Sequence, residues 1–127
     1  MKPFIALIFA SLLCSFCQSQ NSTVPAPTPI ISNPEMDSII EIIRYHYRED
    51  EEFLLKLENA QSEWRESVWA DIDMRFPKSD KREYGSIYRT CIQLLLDDAI
   101  NLRLQYLNLW IEGVEEGSVC AGSILVR

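Results

Sequence analysis

Carboxylates and a single histidine are the first residues of this 127-residue chain to consider for catalysis or metal binding. His46 stands alone between two tyrosines, and one histidine supplies neither a metal cluster nor a base beside a nucleophile. Asp97 and Asp98 are adjacent within a predicted helix, where neighbouring side chains diverge by about 100° and cannot act on one substrate. We therefore expect a protein that is not an enzyme and uses no cofactor or metal.

A run of four carboxylates, hereafter the acidic run, consists of Glu49, Asp50, Glu51 and Glu52. Consecutive helical residues point in different directions, and no loop glycine or spaced set of ligands accompanies the run, which argues against a metal site. Carboxylates in the first turn of a helix complement the positive end of the helix dipole. We expect the acidic run to begin a helix.

The charge of the chain limits its partners. The full sequence has a formal charge of −7, and loss of Lys2 with a signal peptide would leave 11 basic and 19 acidic residues, or −8. Nucleic acids and anionic membrane surfaces require a basic surface, so neither is an expected partner. Two interpretations remain: the charge attracts a cationic partner, or it only keeps an exported protein soluble.

Residues 1–19 are predicted to be a signal peptide. Lys2 supplies the positive start and residues 4–13 form an apolar stretch, which is too short to span a bilayer. A lipoprotein would need acylation of Cys14 or Cys17, but bulky residues rather than small ones precede both cysteines. We expect export to the periplasm or the medium.

A proline-rich linker is predicted over residues 20–34, and a helical domain over residues 35–127. The first helix follows Pro34 and ends near Arg48, because apolar residues recur there at helical spacing: Met36, Ile39, Ile40, Ile43 and Tyr47. The second helix runs from the acidic run to Pro77, with a stripe of Leu54, Leu57, Gln61, Trp64, Val68, Ile72 and Phe76 on one face.

A third helix is predicted over residues 87–110, after a polar loop that ends in a Gly85-Ser86 turn with Ser86 as its N-cap. It is apolar around much of its circumference, so we expect it to be wedged between neighbouring helices. Gly113 is the predicted C-cap, followed by an irregular tail. The fold class is therefore all-α: an antiparallel hairpin of two long helices with the shorter N-terminal helix packed across it.

Two polar residues lie among the apolar positions of the long helices, Gln61 and Arg103. They could form a buried or half-buried polar pair that fixes the register of the helices, or they could contact a ligand.

Cys91 and Cys120 would remain after export, and an even number of cysteines in an exported protein favours one disulfide. A helix from Cys91 to Glu112 would rise about 31 Å, whereas the next eight residues span at most roughly 27 Å. The disulfide therefore requires this helix to end early or to bend. Free thiols or an intermolecular bond are the alternatives.

Residues 60–123 carry a discontinuous signature: Ala60-Gln61-x-x-Trp64, Phe76-Pro77, Tyr84-Gly85-Ser86, then Cys91, Arg103, Leu107, Trp110 and Gly113, and finally residues 116–123. In order and spacing it resembles the domain named after the mycobacterial lysozyme inhibitor LprI, a family of small exported bacterial helical proteins. The chain differs from the family pattern after the tryptophan, at Val68 and Trp69, and before Arg103, at Ala99 and Ile100.

The resemblance implies an exported envelope protein that inhibits lysozyme by occupying its sugar-binding cleft. Lysozymes are commonly cationic, so the acidic run would flank the contact electrostatically. The loop residues Asp80, Tyr84 and Ser86 would make the contact, although Tyr84 could instead anchor the loop and Ser86 could cap the helix. The alternative function is a structural or assembly module of the envelope without inhibitory activity.

Overall fold

A computed structural model describes residues 29–127; the predicted signal peptide and the first part of the predicted linker lie outside the described residues. The fold is all-α. Three α-helices are formed, α1 (Pro34–His46), α2 (Glu51–Arg75) and α3 (Tyr88–Glu112), with a short 3₁₀ helix (Lys81–Tyr84) between α2 and α3. Within the described part of the chain, none of the helices is both long and apolar enough to cross a membrane.

Side-chain caps start the first two helices. The Asn33 side chain accepts a hydrogen bond from the backbone N–H of Met36 at 2.9 Å, and Pro34 occupies the first helical position. Asp50 Oδ1 accepts from the N–H of Phe53 at 2.9 Å, which makes Asp50 the N-cap of α2. The acidic run therefore begins α2, as predicted.

The start of α3 differs from the prediction, because Ser86 is not its N-cap. Ile87 takes that position with helical dihedral angles (φ −69°, ψ −18°), and no side chain caps the helix. A serine cap needs an extended backbone, whereas α3 is entered from a turn that follows the 3₁₀ helix, with Gly85 at φ 73°. Ser86 is exposed.

The two long helices form an antiparallel hairpin, since their contacts pair the start of one with the end of the other. Phe53, near the start of α2, lies 6.4 Å between ring centroids from Trp110, near the end of α3. Phe76, just after α2, lies 5.1 Å from Tyr88, the first residue of α3.

Helix α1 packs on the half of the hairpin where α2 begins and α3 ends. Arg44 Nε donates to Glu58 Oε1 at 2.9 Å, and the Tyr47 ring stacks on Phe53 with centroids 4.2 Å apart. The hydrophobic core lies mainly in this half, and its buried residues are Ile31, Met36, Ile39, Ile40, Ile43, Leu57, Val68, Ile72, Ile100, Leu104 and Leu107.

The expectation that α3 is wedged between neighbours is wrong for its first half. Leu94 is 60% exposed, and between positions 69 and 99 only Ile72 is buried. The reason is length: α1 has 13 residues and measures about 20 Å, whereas α2 and α3 have 25 each and measure about 38 Å. One short helix covers only half of the hairpin.

The C-terminal tail folds back against the end of α3. The N–H of Val114 donates to the carbonyl of Leu125 at 2.8 Å, and the N–H of Arg127 donates to the carbonyl of Val114 at 2.9 Å. Gly113 ends α3 with φ 79°, and a Cβ at this position would lie 2.6 Å from the Leu125 oxygen. Both the backbone angle and the close approach of the tail require glycine here.

The predicted disulfide is not formed, and Cys91 and Cys120 are free thiols. Cys91 lies in the first turn of α3, and the helix continues without a break to Glu112. The tail then closes on Val114 at the far end of α3, so Cys120 stays a helix length away from Cys91. Neither of the conditions that the disulfide requires, a short or a bent helix, is met.

The last residues of the predicted linker pack on α2. The indole Nε1 of Trp69 donates to the carbonyl of Pro29 at 2.9 Å, and Ile31 is buried in the core. Residues 29–33 are thus part of the folded unit, since they cover a strip of α2 just beyond the reach of α1.

Candidate functional site

An open groove of about 410 Å³ lies between the first half of α2 and the second half of α3. Six residues define it, and it is called the Arg103 groove below: Phe53, Leu57, Arg103, Tyr106, Leu107 and Trp110. Phe53 and Leu57 are four positions apart on α2, and on α3 Tyr106 and Leu107 each lie three or four positions from Arg103 and from Trp110, which places the residues of each helix on one face. The antiparallel pairing of α2 and α3 brings these two faces together.

The charged end of Arg103 is held by Gln61. Arg103 Nε donates to Gln61 Oε1 at 2.7 Å, and Gln61 is only 2% exposed. The amide nitrogen of Gln61 makes a long contact of 3.6 Å with the sulfur of Met36 on α1. Gln61 and Arg103, the two polar residues singled out in the sequence, are therefore hydrogen-bonded to each other, and the pair connects α2 to α3.

Two aromatic rings flank the guanidinium group of Arg103. Its central carbon lies 5.6 Å from the ring centroid of Trp64 and 5.3 Å from that of Tyr106, both within the range of a cation–π interaction. Burial lowers the pKa of Arg103, and the positive charge of Arg65 acts in the same direction, while Tyr106 opposes the change. An arginine remains charged at neutral pH even so.

The remaining donors of Arg103 have no partner in the folded part of the chain. Neither Nη1 nor Nη2 makes a hydrogen bond or ion pair with any of residues 29–127. A guanidinium carries five N–H donors, and Gln61 uses one of them. The groove thus combines an apolar surface with a half-buried positive charge that can bind the oxygens of an anionic group.

The acidic run lies at one end of the Arg103 groove. Its four residues are exposed, and Asp50 and Glu52 reach the lining of the groove. Ser123 of the tail closes the same end: its hydroxyl accepts from Trp110 Nε1 at 3.0 Å, and its carbonyl accepts from the Tyr47 hydroxyl at 2.7 Å.

The predicted loop contacts lie elsewhere. Asp80 caps the 3₁₀ helix and binds Arg82 at 2.8 Å, which lowers the pKa of the Asp80 carboxyl. The Tyr84 hydroxyl accepts from the N–H of Lys78 at 2.8 Å, and its ring packs on Phe76. Tyr84 is therefore an anchor of the loop, and Ser86 remains exposed.

The structure does not bring this loop and the acidic run together. The loop follows the end of α2, whereas the acidic run lies at its start. Most of this 25-residue helix, which is about 38 Å long, therefore separates them. One small contact surface cannot include both.

Sequence reasoning missed the aromatic part of the groove. It placed Trp64 on the apolar stripe of the second helix and counted the third helix, which carries Tyr106 and Trp110, as apolar around much of its circumference, but all three aromatic residues are only partly covered. A usable signal was present on α3, where Arg103 is followed three residues later by Tyr106 and seven residues later by Trp110. These spacings put an arginine and two aromatic residues on one helical face.

Within the described residues, no group of three or more His, Cys, Asp or Glu side chains could hold a metal ion. His46 is exposed at the end of α1, and Asp97 and Asp98 are exposed on α3. No protein-family model, curated protein or solved structure matches the chain, so the groove and the acidic run have to be interpreted from their own residues.

Proposed function

We propose that the protein is an exported, non-catalytic binding protein of the LprI-like type, whose acidic run engages a cationic partner such as a lysozyme. The observation that carries this proposal is the exposure of four consecutive carboxylates at the start of α2. The discontinuous signature over residues 60–123 supports the choice of partner class.

The acidic run keeps most of its negative charge available. Glu49 pairs with Arg48 at 3.3 Å, and Asp50 accepts one backbone hydrogen bond as the N-cap. Glu51 and Glu52 have no ion pair with any other residue that the structure describes. Exposed like charges of this kind raise the association rate with an oppositely charged protein, and the effect weakens as salt is added.

We place the contact at the acidic run rather than at the loop of residues 77–86. In that loop Asp80 is occupied by Arg82, and Tyr84 is fixed by Lys78 and Phe76. Ser86 is the one of the three predicted loop contacts that keeps an exposed and unpaired polar group. The loop therefore has fewer free groups that can bind a cationic surface than the acidic run has.

The test uses the exported form of the protein and purified lysozymes of several types. Binding kinetics and inhibition of cell-wall lysis are measured at low and at physiological salt. The neutralised variant is Glu49→Gln, Asp50→Asn, Glu51→Gln, Glu52→Gln; asparagine at position 50 preserves the helix cap. We expect its association rate to fall about 10-fold or more at low salt, with little remaining salt dependence.

A matched control changes the net charge by the same amount elsewhere. Exposed carboxylates without hydrogen bonds in the structure are replaced by amides at Glu63, Glu66, Asp71 and Asp98. This control should retain most of the association rate. Equal losses in both variants would refute the role of the acidic run, and absence of binding to every lysozyme at low salt would refute lysozyme as the partner.

The second candidate function is a structural or assembly module of the envelope. It is favoured by the exposed apolar side chains on the half of the hairpin that α1 does not cover, including Ile87 and Leu94. Under this alternative, the variant Ile87→Gln with Leu94→Gln would no longer associate with envelope components, and neither this variant nor the unmodified protein would bind lysozyme.

A further inference from the structure

We propose that the Arg103 groove is a binding site for a small organic monocarboxylate with an aromatic or branched apolar body. This site is separate from the protein contact proposed above, because it uses the interior of the groove rather than its exposed acidic end.

The first step of the argument concerns charge. The guanidinium of Arg103 is half-buried between Trp64 and Tyr106, and no carboxylate among residues 29–127 pairs with it. A buried charge is normally compensated by an opposite one, since desolvation otherwise destabilises it. An anion bound in the groove would provide that compensation.

The second step concerns orientation. Gln61 is buried and accepts the Nε hydrogen of Arg103, so it limits how the guanidinium plane can turn. Nη1 and Nη2 then present a planar pair of donors, whose geometry matches the two oxygens of a carboxylate. Lys56, which also lines the groove, adds a second positive charge on the α2 wall.

The third step concerns the rest of the ligand. Beyond Arg103 the groove is lined by Phe53, Leu57, Leu107 and Trp110, which suit an apolar body. A volume of about 410 Å³ is within the usual range for small-molecule sites. Asp50 and Glu52 lie about 15 Å and about 12 Å along α2 from the level of Ala60, and they would repel a second negative charge. The ligand class is therefore a monoanion rather than a polyanion.

The experiment compares two nearly isosteric probes, 4-phenylbutyrate and the neutral 4-phenylbutyramide. The protein has three tryptophans, and their indole N–H signals in ¹H–¹⁵N NMR spectra report on different places. Trp110 lines the groove and Trp64 contacts Arg103, whereas the Trp69 indole is bonded to Pro29. We expect the carboxylate to shift the signals of Trp64 and Trp110, to leave Trp69 unchanged, and to bind about 10-fold or more tightly than the amide.

The variants are Arg103→Gln and, as a control with the same change of charge on the same helix, Arg89→Gln at an exposed position. Arg103→Gln should abolish the preference for the carboxylate over the amide, and Arg89→Gln should retain it. If Arg103→Gln does not fold, the affinities of the unmodified protein for the carboxylate and for the amide still test the proposal.

Three results would overturn the proposal. The first is equal affinity for the carboxylate and the amide. The second is a shift of Trp69 as large as that of Trp110, which would indicate unspecific apolar binding. The third is absence of binding at millimolar concentration both by 4-phenylbutyrate and by the branched 4-methylpentanoate.

Discussion

Arg103 on α3 and Gln61 on α2 are 42 positions apart in the chain and are joined by a hydrogen bond of 2.7 Å from Arg103 Nε to Gln61 Oε1. The acceptor is buried and the donor is half-buried. The bond therefore has two consequences: it fixes the register of the long helices, and it holds the guanidinium at the wall of the groove.

Gln61→Leu should lower the free energy of unfolding by about 1–3 kcal/mol, because it leaves the Arg103 Nε hydrogen without an acceptor in a partly buried place. Urea denaturation followed by circular dichroism measures the change. Gln105→Leu, at an exposed position of α3, should have an effect within about 0.5 kcal/mol.

The double variant Gln61→Leu with Arg103→Met tests the same bond as a pair. Removing both partners leaves no unpaired donor. The double variant should therefore lose about 1 kcal/mol less free energy of unfolding than the two single variants lose together. Additive effects would show that the two residues stabilise the hairpin independently.

Neighbouring isoleucines on α1 provide a matched test of where the core lies. Ile43 is 0% exposed and Ile42 is 43% exposed. Ile43→Ala should lower the free energy of unfolding by about 2–5 kcal/mol, through lost apolar burial and the cavity that remains. Ile42→Ala should cost less than about 1 kcal/mol. Similar costs would contradict the packing of α1 on the hairpin.

Reduction should leave the stability unchanged, because Cys91 and Cys120 do not form a disulfide. The melting temperature with and without reductant measures this, and Cys120→Ser serves as the control. In alkylation followed by mass spectrometry, Cys120 should react faster than Cys91, since Cys120 is exposed and Cys91 is half-buried. A peptide that contains both cysteines linked to each other would contradict the structure.

Alkaline pH should loosen the contact between α1 and the tail. Burial raises the pKa of Tyr47, whose hydroxyl donates to the carbonyl of Ser123. The folded state therefore holds the Tyr47 proton more tightly than the unfolded state, whose tyrosine pKa is about 10. The stability that the Tyr47 proton contributes to the folded state is therefore fully present below the tyrosine pKa of the unfolded state, and it is lost as pH rises through the raised pKa of the folded state.

Tyr47→Phe should remove that part of the alkaline decline, and Tyr45→Phe, at an exposed ring, should keep it. Stability is measured by urea denaturation from pH 8 upward, in steps of about half a unit. An identical decline in both variants would show that Tyr47 is not responsible for it.

Local features of the sequence predicted much of the fold. The acidic run marks the start of α2, and the spacing of Ile39, Ile40 and Ile43 identifies the buried face of α1. Each of these features depends on residues within one or two helical turns. They could be predicted because no distant part of the chain changes them.

Features that depend on distant parts of the chain were not predicted. The apolar circumference of α3 suggested enclosure, but α1 is too short to cover the first half of α3, where Leu94 is exposed. The number of cysteines favoured a disulfide, but the straight course of α3 separates the two thiols. The groove was missed for the same reason, since Trp64 and Tyr106 become neighbours of one guanidinium only after α2 and α3 have paired.

The unequal coverage of the hairpin also affects how easily its two halves open locally. Backbone amides in the first half of α3 and the last turns of α2 are protected by two helices alone, whereas those near Ile100 and Leu107 lie beneath α1 as well. The end of the hairpin that α1 does not cover should therefore open without global unfolding. Its amides should exchange with deuterium at a lower free-energy cost than those near Ile100 and Leu107. The half of the hairpin under α1 would then stay folded while the other half opens and closes repeatedly.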